Sequence, residues 1–110
     1  MRQGEIWFAD LDPTKGSEQS GRRPVVIISG NTLNETLPIS IVVPVSSKIK
    51  GYPTSVVLDP STTNGLKKKS EATPFQVRAV SSTRLVKRIG RVSSEELKQI
   101  IRGLFMSLTH

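Results

Sequence analysis

The sequence predicts a small, mainly β domain: a compact, strongly twisted sheet, partly closed into a barrel, with one C-terminal helix. Three observations lead there. Short runs rich in Val, Ile and Leu recur along the chain and are separated by turn-forming residues, the signature of many short strands. Helical periodicity appears only after Val92. With 110 residues and five aromatics (three Phe, one Trp, one Tyr), there is room for a single domain, residues 1–110, with one modest aliphatic core.

Taken in order, Ile6-Trp7-Phe8 is a short apolar run that Gly4 precedes and Asp10 ends. Residues 10–22 are rich in Gly, Ser, Asp and Pro and almost free of large apolar groups, which predicts a long loop of a length that is often functional. Pro24 leads into Val25-Val26-Ile27-Ile28, a continuous apolar run that reads as a buried strand. Ile39 to Val45 is the next strand, with Pro44 implying an edge position or a bulge near its end. Val56-Val57-Leu58 and Phe75 to Val80 supply two more, and Leu85 to Val92 a sixth, broken by Gly90. The period then changes. Ser93 and Glu96 have the spacing of a capping box, and Val92 and Leu97 that of a hydrophobic staple. Leu97, Ile100, Ile101, Leu104, Phe105 and Leu108 follow as one apolar stripe at helical spacing.

The formal net charge is +7, and the segment 60–93 carries all of it: eight bases (Lys67, Lys68, Lys69, Arg78, Arg84, Lys87, Arg88, Arg91) against one acid, Glu71. A concentrated excess of this kind suits a polyanionic partner, nucleic acid or an acidic protein segment, although a solvated basic face has the same composition. Zero cysteines exclude a disulfide scaffold, a thiol nucleophile and a thiolate metal site. The one histidine, His110, rules out the usual His-based zinc sites and a two-histidine nuclease. No apolar run approaches the length of a membrane span, and the first residues lack the apolar core of a signal peptide, so a soluble, cytoplasmic domain without membrane contact is expected. Asp10 and Asp12 could in principle bind Mg²⁺, but so close before Pro13 a turn-forming role is the better reading.

What remains for chemistry is arginine with hydroxyls. Arg23 stands directly after the long loop at the mouth of a strand; Ser46 and Ser47 end another strand and are followed by Lys48 and Lys50. If those strands are neighbours, a guanidinium and a hydroxyl converge at one end of the sheet. That pairing suits a phosphodiester, because Arg offers forked donors to phosphate oxygens and Ser can donate beside it. A surface ion pair at Arg23 and a strand-ending turn at Ser46 and Ser47 are the plainer alternatives.

Several blocks are familiar in this order. Gly4-Glu5-Ile6-Trp7-Phe8, Asp12-Pro13-Thr14-Lys15-Gly16-Ser17-Glu18-Gln19, Gly21-Arg22-Arg23-Pro24, Val43-Pro44-Val45-Ser46-Ser47, Lys50-Gly51-Tyr52-Pro53 and Gln76-Val77-Arg78-Ala79-Val80 resemble the MazF/PemK (Kid) toxins over nearly the whole chain. The resemblance implies an SH3-like small barrel of the MazF/CcdB type, usually a homodimer. It implies a sequence-specific, metal-independent endoribonuclease acting on single-stranded RNA without a cofactor. It also implies the toxin half of a bacterial toxin–antitoxin pair, inhibited by an antitoxin with an acidic segment (MazE/PemI-like).

Carried over by position, Arg23 matches the family's catalytic arginine, and Ser46 stands where threonine is commoner, keeping the hydroxyl. Glu18 matches an acid implicated in some members and is the candidate base for the 2′-OH. Lys15, Gly16, Ser17, Gln19, Ser47, Lys48, Lys50, Tyr52, Gln76 and Arg78 are the expected substrate contacts. Phe75 replaces an acid often found before the Gln-Val-Arg motif, so no carboxylate role is carried over there. Two other readings fit the same fold: a CcdB-like toxin that binds DNA gyrase, and a non-catalytic RNA-binding domain.

Overall fold

The computed structural model describes residues 1–11 and 22–110. Its strands are β1 (Glu5–Asp10), β2 (Arg22–Ile27), β3 (Ile39–Ser46), β4 (Val56–Leu58), β5 (Ser70–Ala72), β6 (Arg78–Ser81) and β7 (Leu85–Arg91), with helices α1 (Asn31–Thr36) and α2 (Ser94–Thr109). All pairings are antiparallel, in the order β4-β5-β3-β2-β1-β7, with β6 also paired to β3. The mainly β fold with a C-terminal helix is therefore as expected. Among the described residues the sheet does not close: β4, β6 and β7 are each paired on one side only.

β1, β2 and β3 form the middle and are covered on both faces, which is why their sequences read as near-continuous apolar runs instead of alternating. Ile6, Val26, Ile28, Val43 and Val45 face the main core, where they meet Leu58, Ala72 and Ile100 of the helix. Val25, Ile27 and Val42 face the other way, into a smaller cluster with Ala9, Val80 and Leu85. Between β1 and β7 the register shifts twice, at Ile6/Trp7 and at Phe8/Ala9, a local irregularity of the kind that increases twist.

Pro44 corrects the expectation of an edge. β3 is the strand with three partners: it bonds β2 on one side and, on the other, β6 through Ile39–Val42 and β5 through Val45 and Ser46. The proline falls where β3 passes from one partner to the next, so its missing N–H deprives neither β5 nor β6. Its carbonyl accepts the Thr73 N–H at 3.1 Å.

The segment read as a strand from Phe75 is different at its start. Pro74–Gln76 is a single 3₁₀ turn with Pro in its first turn, and the strand begins only at Arg78. Gly90 does not break β7. It lies inside the strand because the Thr63-Asn64 backbone runs against it; a Cβ there would lie 2.4 Å from the Thr63 carbonyl oxygen. Three elements have no counterpart in the sequence reading: α1, none of whose residues is buried, the short strand β5, and a 3₁₀ turn at Ser82–Arg84.

The terminal helix carries the capping box in full. Ser93 Oγ accepts the Glu96 N–H at 3.0 Å and Glu96 Oε1 accepts the Ser93 N–H at 2.8 Å. Val92, Leu97, Ile100 and Leu104 join the main core. The rest of the stripe does not: Ile101, Phe105 and Leu108 are exposed, the last two by 64% and 75%, so half of this apolar face is left uncovered. Gly103 is buried, with the Thr54 backbone and Pro74 packed where a side chain would be, which seats α2 on the 47–55 loop and the 3₁₀ turn. Among the described residues, no helix is long and apolar enough to cross a membrane.

Candidate functional site

The strands that carry Arg23 and Ser46 are neighbours. The β2–β3 register pairs Val25 with Pro44, and counting outward by two residues places Arg23 opposite Ser46 at the end of the sheet. Strand alternation puts Arg23 on the face of Val25 and Ile27, and Ser46 on the face of Val42, all of which line the smaller cluster. Both side chains thus leave the same face of adjacent strands. Arg23 is exposed and Ser46 half-buried.

The backbone prepares the hydroxyl. Ser46 Oγ accepts the Lys48 N–H at 3.1 Å, which occupies a lone pair and leaves the O–H able to donate outward. Beyond Ser46 the chain turns away from β3 as the 47–55 loop, carrying Ser47, Lys48, Lys50 and Tyr52, all exposed. Gly51 adopts a positive φ of 69°, and Thr54, unusually for a β-branched residue, one of 68°. Thr54 is held there by its hydroxyl, 2.8 Å from that of Ser107 on α2.

Inside this loop lies Glu71, the one acid of the basic segment, unassigned in the sequence reading. It sits on β5 as the register partner of Ser46 and is only 1% exposed. Its carboxylate accepts the Ser55 hydroxyl, the Lys50 N–H at 2.9 Å and the Tyr52 N–H at 3.0 Å. The Ser55 hydrogen bond, with those from the Lys50, Tyr52 and Gly51 amides, outweighs burial and holds the carboxyl below its ordinary value of 4.5. A signal was available: a solitary acid within eight bases, bracketed by two small residues.

Gln76 reaches the same region through the 3₁₀ turn. The Thr73 hydroxyl donates to Gln76 Oε1 at 2.7 Å, which turns the amide NH₂ outward as a donor, and Thr73 is tied to Pro44 of β3. The preceding Phe75 meets the Tyr52 ring edge-on, with centroids 5.1 Å apart. Arg78 shares the face of Ser46, since it pairs with Val42. It is four residues back along β3, roughly 13 Å at ordinary strand rise. The structure therefore gathers Arg23, Ser46, Ser47, Lys48, Lys50, Tyr52 and Gln76 at one end of the sheet, with Arg78 set back. Lys15, Gly16, Ser17, Glu18 and Gln19 lie outside the described residues.

The basic segment does not act as one patch. Lys67, Lys68, Lys87 and Arg88 rim an open cleft of about 620 Å³ whose floor includes Phe8 and Pro24. Arg88 is already engaged, donating from Nε to Glu5 at 2.9 Å, and Arg84 donates to the Asp10 carbonyl at 2.9 Å. Burial works against ionisation of Glu5, yet its carboxyl stays below 4.5 because the Arg2 amide, the Trp7 indole and Arg88 all donate to it.

The comparisons with known proteins agree on one family. The sequence profile described as PemK-like, MazF-like toxin of type II toxin–antitoxin system matches residues 2–108. Endoribonuclease MazF9 of Mycobacterium tuberculosis is 43% identical over 98% of this chain and 96% of its own length. Endoribonuclease MazF of Staphylococcus saprophyticus is 36% identical over 98% of this chain and 91% of its own. Among solved structures, MazF in the MazE–MazF complex of Deinococcus radiodurans superposes with a TM-score of 0.81 at 23% identity, over 98% of this chain and 95% of that one. The chain belongs to the PemK-like, MazF-like toxins of type II toxin–antitoxin systems.

Proposed function

We propose that this toxin is an endoribonuclease that cleaves single-stranded RNA without a metal ion, leaving 2′,3′-cyclic phosphate and 5′-OH ends. The observation that carries the reading is the β2–β3 register, which, extended two residues beyond the Val25–Pro44 pair, sets Arg23 opposite Ser46. RNA supplies its own nucleophile. The 2′-OH attacks the adjacent phosphorus, the P–O5′ bond breaks, and the protein has only to orient the phosphate and stabilise charge in the transition state. Arg23 bonds the non-bridging oxygens as negative charge builds and assists proton transfer to the leaving 5′ oxygen. Ser46 donates to a second non-bridging oxygen. Glu18, on family resemblance, accepts the 2′ proton.

Around that centre, Lys48 and Lys50 meet the backbone phosphates, Tyr52 offers a ring face and Gln76 an amide donor to an unstacked base. Ser47 and the set-back Arg78 complete the contacts, with Lys15, Gly16, Ser17 and Gln19 assigned on the same resemblance. The likeness to the two endoribonucleases supports the activity. The partner is an antitoxin with an acidic segment, which the cation-rimmed cleft suits. The assembly is a homodimer, in keeping with the uncovered Phe105 and Leu108 face of α2; sedimentation as a monomer at micromolar concentration would count against it.

The test is cleavage of a long mixed-sequence RNA in excess EDTA, with end-group analysis. Cyclic-phosphate and 5′-OH ends that vanish with Arg23→Ala are expected. Intact RNA across a diverse pool would overturn the reading and turn attention to gyrase.

A further inference from the structure

We propose that Glu71 is a positioning residue: it anchors the 47–55 loop and, through it, holds the Ser46 hydroxyl in the orientation that cleavage requires. The proposal rests on the ribonuclease reading above. It begins from an imbalance. A carboxylate that is 1% exposed loses its hydration, a cost that a well-packed apolar side chain would not incur. Nothing in the sheet needs the carboxylate, since β5 is held to β3 and β4 by backbone pairing.

The carboxylate's partners show what it serves. Among the described residues, every hydrogen bond to it comes from one segment: the Lys50 and Tyr52 amides and the Ser55 hydroxyl. The side-chain ion pairs among the described residues are Arg2–Glu35 and Arg88–Glu5, so within that set the charge of Glu71 is met by the dipoles of this loop. The loop is thereby wrapped around a fixed anion.

Its two ends make the connection to the site. At one end, the Lys48 N–H fixes Ser46 Oγ, and Ser46 is the residue paired with Glu71 across β3 and β5. At the other, Thr54 is bonded to Ser107 on α2. Between them stand Lys48, Lys50 and Tyr52, three of the residues proposed to meet RNA. If the anchor is released, the Lys48 amide and the Ser46 hydroxyl lose their common frame, and the cations lose their spacing.

Glu71→Gln keeps the volume but turns an NH₂ toward a ring of donors, so at least one loop N–H loses its acceptor. With folding checked by circular dichroism, kcat/KM on RNA is expected to fall at least tenfold per folded molecule, with both kcat and KM moving. Tryptic nicking after Lys48 and Lys50 should accelerate. The double variant Ser46→Ala/Glu71→Gln should lose less than the product of the single losses, because both act on one unit.

Ser55→Ala, which removes a single donor, should give a smaller loss in the same direction. It carries the same cycle with Ser46→Ala if Glu71→Gln does not fold. Fully multiplicative losses, or kcat, KM and nicking rate all within twofold of the parent, would overturn the proposal. If the parent protein cleaves no RNA, the ribonuclease reading fails on its own. The nicking arm then still decides the anchor: faster nicking supports it and an unchanged rate refutes it.

Discussion

Replacing Gly103 by alanine sets two effects of opposite sign against each other at a position where the geometry decides between them. Alanine is the better helix former by about 1 kcal/mol, so propensity alone predicts a more stable protein. The packing predicts the reverse. A Cβ at Gly103 would lie 2.4 Å from the Thr54 carbonyl oxygen and 2.9 Å from Pro74 Cγ, where ordinary contact is 3.4–4 Å. Relief requires α2 and the loop to part by about 1 Å, and overpacking of this order costs about 1–3 kcal/mol. Neither side yields easily. Thr54 is already at a φ of 68° and is bonded to Ser107 one turn beyond Gly103, so moving the helix strains that contact as well. We expect net destabilisation of about 1 kcal/mol, which for a domain near this size lowers the thermal midpoint by roughly 4–8 °C. Thermal and urea unfolding at fixed protein concentration measure it. A midpoint raised by several degrees would refute the packing argument and show that the helix is free to shift.

Other expectations follow from the same structure. Ser93→Ala removes the hydroxyl that caps α2 and should cost about 1 kcal/mol in urea unfolding. Arg23→Ala should lower kcat for RNA cleavage by about 100- to 1,000-fold while leaving the thermal midpoint nearly unchanged, as expected for an exposed group that stabilises transition-state charge. The carboxyls of Glu71 and Glu5 are held below 4.5, so each contributes stability that is present above that value and lost as pH falls through the lower folded-state pKa. Unfolding free energy should therefore decline below about pH 4.5, and Glu71→Gln should flatten the decline. Lys67→Ala and Lys87→Ala test whether the cleft carries RNA. Each phosphate contact removed should reduce the slope of log K against log salt by about 1, and unchanged slopes would assign the cleft to another partner.

The central strands were readable because Val25–Ile28 and Ile39–Val45 are covered on two faces, so the first leaves an unbroken apolar run and the second one interrupted only by Ser40 and Pro44. The terminal helix was readable because its cap and its period are both local. β5 was not, because Ser70-Glu71-Ala72 has no apolar pattern at all; it becomes a strand only because β3 and β4 flank it. α1 buries nothing and so leaves no stripe to find. Phe75 misled because an aromatic next to Val77 and Val80 looks like strand, whereas Pro74 has already set the backbone for a 3₁₀ turn. At the site, the convergence of Arg23 and Ser46 could be anticipated from strand ends, given the right neighbours. Glu71 stands out in sequence only as a solitary acid among eight bases; that it is buried and holds a loop follows from the pairing of β5 with β3. The stripe on α2 was legible as apolar, but which half meets this chain's own core depends on where Gly103 seats the helix.

Pro44 divides β3 into two territories. The pairing of β2 with β3 sets where Arg23 stands relative to Ser46, while β5 and the loop it anchors set where Lys48, Lys50 and Tyr52 stand. Reaction centre and recognition loop thus draw on opposite edges of one strand and meet at Ser46, which faces β5 and takes the Lys48 N–H on its hydroxyl. A recognition loop borrowed from a relative could be spliced between Ser47 and Val56 without re-pairing the reaction centre. The splice would have to carry residue 71 along with it, since loop and anchor form a single transferable cassette.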